Sequence, residues 1–543
     1  MREPETLQTP RSPSTQARGL GSRFSLGSGL GLGLSLALGL SLSLGCRSVP
    51  TDEAGDTSQV ADNAVHADSV VVERLLALTL SGQVLGTVES RLEKGTDGTW
   101  TTREFSTFSM TRQGGGADAE FSSTTESVTV YDPAHELVSD LSIEREAGIT
   151  ITRRVTMDGP ALISSYTGPG HETPKVERFT LPPEYRSSLA VNFELLETFE
   201  HTGEAATLEF RSFNADRERF ELSELTLLGT VDYAHGDLHI PGYEWRVREE
   251  DGTVIESITD LDFMPLKLEV GGVFAATLVD EPPEMGGAPA KIDSELPVGG
   301  KTATTWWELA KQEVVVSVEG DVDPDAPPMW ENNHYHRVER DGPRYTMTLL
   351  STRPPAGFQA PGLPMTLSDP ELSRYLEPTP MAQSDDPLMI QTAQGIIKGE
   401  KDSFVAAQMI IEAVFQGLSK EAGVRGSATA IEVLRNGRGD CTEHAVLVVA
   451  LMRAAGIPAR AIDGIVIAAE GDGSGVAGYH EWAEIWLGEW IGVDATVGET
   501  GTSARYLEFS IDEPGNLGSG GKMMRSIGKT KIELGPHELY EGR

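Results

Sequence analysis

GDCTEHAVLVVALMRAAGIPARAIDGIV, residues 439–466, decides how the chain is read. Gly437 and Gly439 mark a tight turn, and Asp440 with Glu443 three residues on has the spacing of a capping box. A helix therefore begins at Cys441. Its body, Ala445 to Met452, is apolar throughout, so the helix is buried. Gly456 with Pro458 just beyond is the mark of a helix C-terminus, and Ala459–Ile467 then reads as a strand. A cysteine that opens a helix feels the positive end of the macrodipole, which favours thiolate. The other reading is a buried structural cysteine. Its place after a Gly-rich turn, off the apolar helix face, weighs against that.

Residues 479–499, YHEWAEIWLGEWIGVDATVGE, add a hairpin. Folded about Gly488, position 482 lies opposite 494, so His480 and Trp482 share one face and Asp494 joins it, diagonal to His480. A carboxylate beside an imidazole fixes its tautomer and stabilises the imidazolium. Packing of the Cys441 helix start against this hairpin cannot be read from sequence. The Gly-rich run Glu470–Gly475 lacks the Lys-Ser/Thr of a phosphate loop and is expected to be a mobile loop. Upstream, Ile411, Val414, Phe415 and Leu418 give one face of a helix starting near Asp402-Ser403. A short helix with Ile431 and Leu434 as its apolar face follows Ser427.

Together these stretches resemble the core of the transglutaminase-like superfamily, a papain-like architecture in which a buried Cys-headed helix packs on an antiparallel sheet. The resemblance covers about residues 385–512 and implies roles for three residues. Cys441 would be the nucleophile, His480 the general base and acid, and Asp494 the orienting carboxylate. The order Cys, His, Asp with spacings of 39 and 14 residues suits it, as do Trp482 and the turn Gly456–Arg460. The nucleophile's own N–H would serve an oxyanion hole. Asn436 and Arg438 are second-donor candidates by position, or simply turn residues. Glu484 falls on the His480 face and either binds substrate or satisfies a neighbour. Glu443 and His444 read as cap and helix-surface residues.

The remaining sequence sets the context. At 543 residues the chain suggests roughly three domains. Its 83 Asp and Glu against 44 Lys and Arg repel phosphate backbones, so nucleic acid is not an expected partner. Two cysteines exclude a thiolate zinc site, and the pairs His235/His239 and His334/His336 lack a second pair of ligands. No metal or cofactor is expected. Residues 1–45 read as a signal peptide: four arginines, then a charge-free run from Ser25 ending in Ser43-Leu44-Gly45-Cys46. That end resembles a bacterial lipobox, with Leu42 one step too far out, so Cys46 is a lipidation candidate. Plain secretion or an uncleaved anchor is the alternative. Residues 46–68 read as a flexible tether.

From 69 to 280 the text alternates with a period of two between turn signals. That pattern predicts antiparallel sheet, as a sandwich or strongly curved half-barrel. Residues 281–300 read as a linker, 301–375 as a small β module, and 513–543 as a C-terminal tail. Trp306-Trp307 could line a groove or merely pack. The fold class expected is α+β multidomain, with β-rich modules preceding a transglutaminase-like (papain-like) domain. The activity expected is thiol acyl transfer at amides of proteins, peptides or peptidoglycan-linked peptides, hydrolysis ahead of transamidation, in an exported protein held to a membrane through a lipid anchor. The alternative is a surface lipoprotein that uses the same fold for binding.

Overall fold

A computed structural model describes residues 70–540, apart from 114–118, 147–148, 169–170, 216–217, 251–252, 271–273, 284–289, 294, 320–327, 380, 421–427, 513–521 and 523–525. The signal sequence, the tether and Cys46 lie outside the described residues.

The alternation of residues 70–278 becomes one continuous antiparallel meander, in which the strand Phe274–Leu278 returns to pair with Val70–Leu80 (Leu76 opposite Leu278). It is a single curved sheet, not two stacked ones. The curvature follows from what the sheet encloses. The helix Ser188–Thr202 packs in a core with Tyr131 from one arm of the sheet and with Leu225, Leu227 and Trp245 from the other. Strands this far apart in the sheet order can meet on one helix only if the sheet wraps around it. The helix starts where Ser187 Oγ accepts from the Ala190 N–H at 3.2 Å and stops at Gly203, whose φ of 71° suits glycine.

The segment read as a linker contains three short strands. Ala290–Asp293 joins the large sheet, Glu295–Leu296 pairs with Gly475–Trp486, and Val298–Gly299 pairs with Thr530–Leu539. Pro and Gly punctuate this stretch, and the alternation is too short between them to be seen. The tail reading also needs correction. Thr530–Leu539 is an inner strand of the small sheet, antiparallel to Leu309–Val318. Its pattern Ile532-Glu533-Leu534 spans only two apolar residues, with Ile532 buried against Val316 and Val314. The other two strands of that sheet, Arg344–Leu350 and His336–Asp341, fall within the small module.

The C-terminal domain is built around the Cys441 helix (Cys441–Ala454). Helices Pro387–Ile397, Ser403–Gly417 and Ala430–Asn436 pack on one side of it, and the strands Ala459–Ala469 and Gly475–Trp486 on the other. Asp402 caps the Ser403 helix through its side chain, as its position suggests. The sheet order is Glu499–Thr500, Trp490–Asp494, Gly475–Trp486, Ala459–Ala469, Tyr506–Asp512. One face of this sheet buries Ala461, Ala483, Ile485, Ile491 and Val493 against the Cys441 helix. Farther along, Ile465, Ile467, Tyr479 and Leu507 join a core shared with the small sheet and with Leu76 and Leu78 of the large one. The opposite face carries His480, Trp482 and Asp494.

Candidate active site

The nucleophile candidate sits where its turn puts it. The Asp440 carboxylate accepts from the Thr442 N–H at 3.0 Å, and the Glu443 carboxyl accepts from the Asp440 N–H at 2.8 Å, which closes the capping box. Gly439 is required here, because a Cβ would lie 2.3 Å from the Glu443 Cβ. Cys441 is in no disulfide and only 1% exposed. Its surroundings are acidic. Burial, and then the neighbouring Asp440, push the Glu443 carboxyl well above its usual range. Burial and then Asp463 do the same to Glu481, whose carboxyl faces Thr442. Carboxyls that stay protonated spare the helix start a negative field that would oppose the macrodipole. His444 is not a surface residue: it is fully buried, with Nδ1 2.5 Å from the Asp440 carbonyl oxygen it donates to. The helix is covered on every face, which its apolar run alone does not reveal, so a polar residue in it reads from sequence as a surface one.

His480 and Asp494 meet as the hairpin geometry predicts. Ala483 pairs with Val493 in the register that sets 482 against 494, and His480 Nε2 lies 2.7 Å from Asp494 Oδ2. That bond makes Nε2 the N–H donor and leaves Nδ1 as the basic atom. Nδ1 is buried and has no hydrogen-bond partner among the described residues. Nδ1 therefore takes no hydrogen bond from the Cys441 thiol in this conformation. With His480 at 6% exposure, the two groups lie under cover in a closed arrangement. Burial alone would raise the Asp494 carboxyl, but His480, Arg505 and Tyr506 hold it well below the usual carboxylate range.

Asp494 is itself held from behind. Oδ1 accepts from the Thr496 N–H at 2.8 Å, and Oδ2 lies 2.9 Å from the Tyr506 hydroxyl. Tyr506 also lies 2.8 Å from Glu499 Oε2 and from Arg505 Nη2. The Arg505 guanidinium, fully buried, faces the Trp306 ring at 3.9 Å. Trp306 is thus packing for this cluster, and Trp307 is half exposed.

Trp482 stacks beside His480, with ring centroids 6.3 Å apart and 17° between planes. Its indole N–H donates to the Tyr335 hydroxyl at 2.7 Å, a residue of the small module. Gly464, opposite His480 in the neighbouring strand, must be glycine: an added Cβ would meet Trp482 Cη2 at 2.6 Å and the Leu507 carbonyl oxygen at 2.1 Å.

Glu484 satisfies neighbours. Arg460 donates to its Oε2 from Nε at 2.7 Å and from Nη2 at 2.6 Å, and His334 bonds Oε1. Trp490 covers the Arg460 guanidinium at 3.9 Å. Asn436 ends its helix on an exposed position, as a turn residue does, and Arg438 is exposed beside it. Glu470–Ser474, expected to be a mobile loop, is a hydrogen-bonded turn: the Glu470 N–H donates to Ser474 O at 2.8 Å and the Gly473 N–H to Glu470 O at 2.9 Å. Sequence reading missed Tyr335, Glu499, Arg505 and Tyr506. Only Glu499 lay within the quoted hairpin, and nothing in its spacing marked it. His235 and His239 pair with Asp280 and Asp232 at 3.1 and 2.9 Å.

Residues 390–495 match the family model of the transglutaminase-like superfamily. This part of the chain is a transglutaminase-like domain. No curated protein matches the chain. Among solved structures, it is similar to a candidate cysteine protease from Cytophaga hutchinsonii at 14% identity and a TM-score of 0.25, over 43% of this chain and 86% of that one. A candidate protease from Parabacteroides distasonis aligns at 12% identity and a TM-score of 0.19, over 67% and 68% of the two chains. A β-barrel-like protein of a domain of unknown function from Brucella abortus aligns at 11% identity and a TM-score of 0.30, over 39% and 97%. None of these likenesses, at such identities and scores, bears on activity.

Proposed function

We propose that the transglutaminase-like domain is a thiol acyl-transfer enzyme acting on amides of proteins or peptides, with Cys441, His480 and Asp494 as its catalytic triad. The observation that carries this reading is His480, tied through Nε2–H to Asp494 with Nδ1 left as a buried, unsatisfied base on the strand that packs against the Cys441 helix. In the reaction, the Cys441 thiol proton passes to His480 Nδ1 as sulfur adds to the amide carbonyl. The tetrahedral intermediate collapses, the C–N bond breaks, and the amine leaves with the Nδ1 proton. The positive end of the Cys441 helix favours the oxyanion. Water, deprotonated by Nδ1, then cleaves the thioester to the acid and restores the thiol.

Hydrolysis is favoured over transamidation. The Gly-rich segment is a short polar turn rather than a long apolar flap that could seal the thioester, and admitting a substrate to this closed site also admits water. Export and anchoring through Cys46 belong to the same proposal and rest on the sequence of residues 1–46. They would place the substrate, a protein or a peptidoglycan-linked peptide, outside the cytoplasm. The cover over Cys441 favours a second reading, a surface lipoprotein that uses this fold for binding. A peptide amide offered with a labelled primary amine separates the outcomes. Free acid in excess of amine adduct supports the proposal, predominant adduct reverses the acceptor preference, and no product with any amide favours the binder.

A further inference from the structure

Behind the triad lies a buried cluster that the reaction just described does not use. Asp494, Glu499, Arg505 and Tyr506 are all at most 7% exposed, and they converge on one phenolic oxygen. Tyr506 OH lies 2.9 Å from Asp494 Oδ2, 2.8 Å from Glu499 Oε2 and 2.8 Å from Arg505 Nη2. Arg505 can only donate, so it fills a lone pair of the phenol oxygen. The hydroxyl has a single proton and two carboxylates within reach. Burial raises the phenol well above its usual range, so that proton is retained.

The charges explain what the proton can do. Two carboxylates and one guanidinium leave the cluster with one negative charge while His480 is neutral, and with none once His480 is protonated. Asp494 Oδ2 is the atom shared by His480 and Tyr506. When the imidazole is neutral, its bond to Oδ2 is the weaker of its two states, and a phenol proton on Asp494 adds to it. When the imidazole becomes imidazolium, its own bond to Oδ2 strengthens and the phenol proton is better placed on Glu499. The change needs only rotation of a hydroxyl, with no heavy atom moving. Buried charges that are already in place need little reorganisation as the reaction proceeds.

We propose that Tyr506 is a positioning residue that divides one proton between Asp494 and Glu499, and so sets how tightly Asp494 holds the His480 imidazolium. This rests on the triad reading for its meaning in catalysis, though not for its test. Other titratable groups also face Asp494: His444 from the Cys441 helix and Lys420 from the segment that precedes residue 421. Glu481 flanks His480 on the adjacent strand position, toward Thr442. All of these stay unchanged in the variants below.

The experiment is an NMR titration of the His480 imidazole in the full chain, labelled at histidine, in a Cys441→Ala background that removes the coupled thiol. Tyr506→Phe takes a donor from Asp494 and should raise the His480 pKa by about half to one pH unit. Glu499→Gln leaves the phenol proton on Asp494 and should lower it by a similar amount. Sharing makes the two effects non-additive: Tyr506→Phe should raise the pKa more in the Glu499→Gln background than alone. Strict additivity, or shifts of the same sign, would overturn the proposal, since a merely structural tyrosine predicts either. If Glu499→Gln does not fold, Glu499→Asp draws the carboxylate back from the hydroxyl and carries the same prediction. Alkylation of Cys441 in the wild type reads the triad separately. An inert thiol would end the catalytic reading and leave the sharing to be decided by the titration.

Discussion

Replacing Glu484 by glutamine probes the charge cluster four residues along the strand from His480. Glu484 is fully buried, and its Oε2 accepts two bonds from Arg460, at 2.7 and 2.6 Å, while Oε1 meets His334. Glutamine keeps the shape but presents an NH₂ to one of two donors. It also leaves Arg460, only 9% exposed in its side chain, with the Trp490 ring but without its hydrogen-bonded carboxylate. Removing one partner of a buried pair costs about 3–5 kcal/mol, mostly the burden of the charge left behind. At roughly 2–4 °C per kcal/mol for a unit of this size, the transition containing this domain should fall by about 6–20 °C. The assay is calorimetry on the full chain with the transitions resolved, because several domains need not unfold together. If the unpaired charge is the cause, Arg460→Met added to Glu484→Gln should recover at least half of the loss. A Glu484→Gln melt within about 2 °C of wild type, or a double variant no better than the single, would refute the reasoning.

Glu508 gives a pH signature, since burial and then Glu484 push its carboxyl up to about 7 against 4.5 for a free glutamate. The folded protein then holds a proton that the unfolded chain has lost, so stability should fall as pH rises from about 4.5 to about 7, by on the order of 3 kcal/mol from this residue. Urea unfolding at pH 5 and pH 8 should show that slope and Glu508→Gln should flatten it; an unchanged slope counts against it. Gly464→Ala forces a Cβ into Trp482 and the Leu507 carbonyl, so a loss of about 1–3 kcal/mol is expected, with altered tryptophan fluorescence. Wild-type stability and spectrum would mean that the close approach is not real.

The local code was legible where the physics is local. A capping box, a helix stop at glycine and a two-residue period depend on neighbours in sequence, so the Cys441 helix and the His480–Asp494 pair could be placed in advance. Curvature of the long meander could be expected only as one of two options, because a period of two describes a sandwich and a half-barrel equally. What closed the choice was a helix held between distant strands. Tyr335 was out of reach for the same reason: it crosses from the small module to bond Trp482, 147 positions away. His444 shows the limit of patterning, since a helix covered on every side hides its polar members as well. Tyr506, Glu499 and Arg505 carry no spacing rule, and only the folded sheet brings them behind Asp494. Thr530–Leu539 was lost for a simpler cause, a strand with too few apolar residues to mark its period.

Labelling of Cys441 by iodoacetamide at pH 6, with the site mapped by peptide mass spectrometry, tests the central claim most directly. The account predicts a single adduct at Cys441, formed faster than on a model thiol whose pKa is ~8.5, and slowed strongly by His480→Ala. Reaction must follow opening of the cover over a residue 1% exposed, so the wild-type rate should also rise as mild denaturant loosens the domain below its unfolding transition. A wild-type rate no faster than the model thiol, or one indifferent to His480, would contradict it and leave a transglutaminase-like fold without its chemistry.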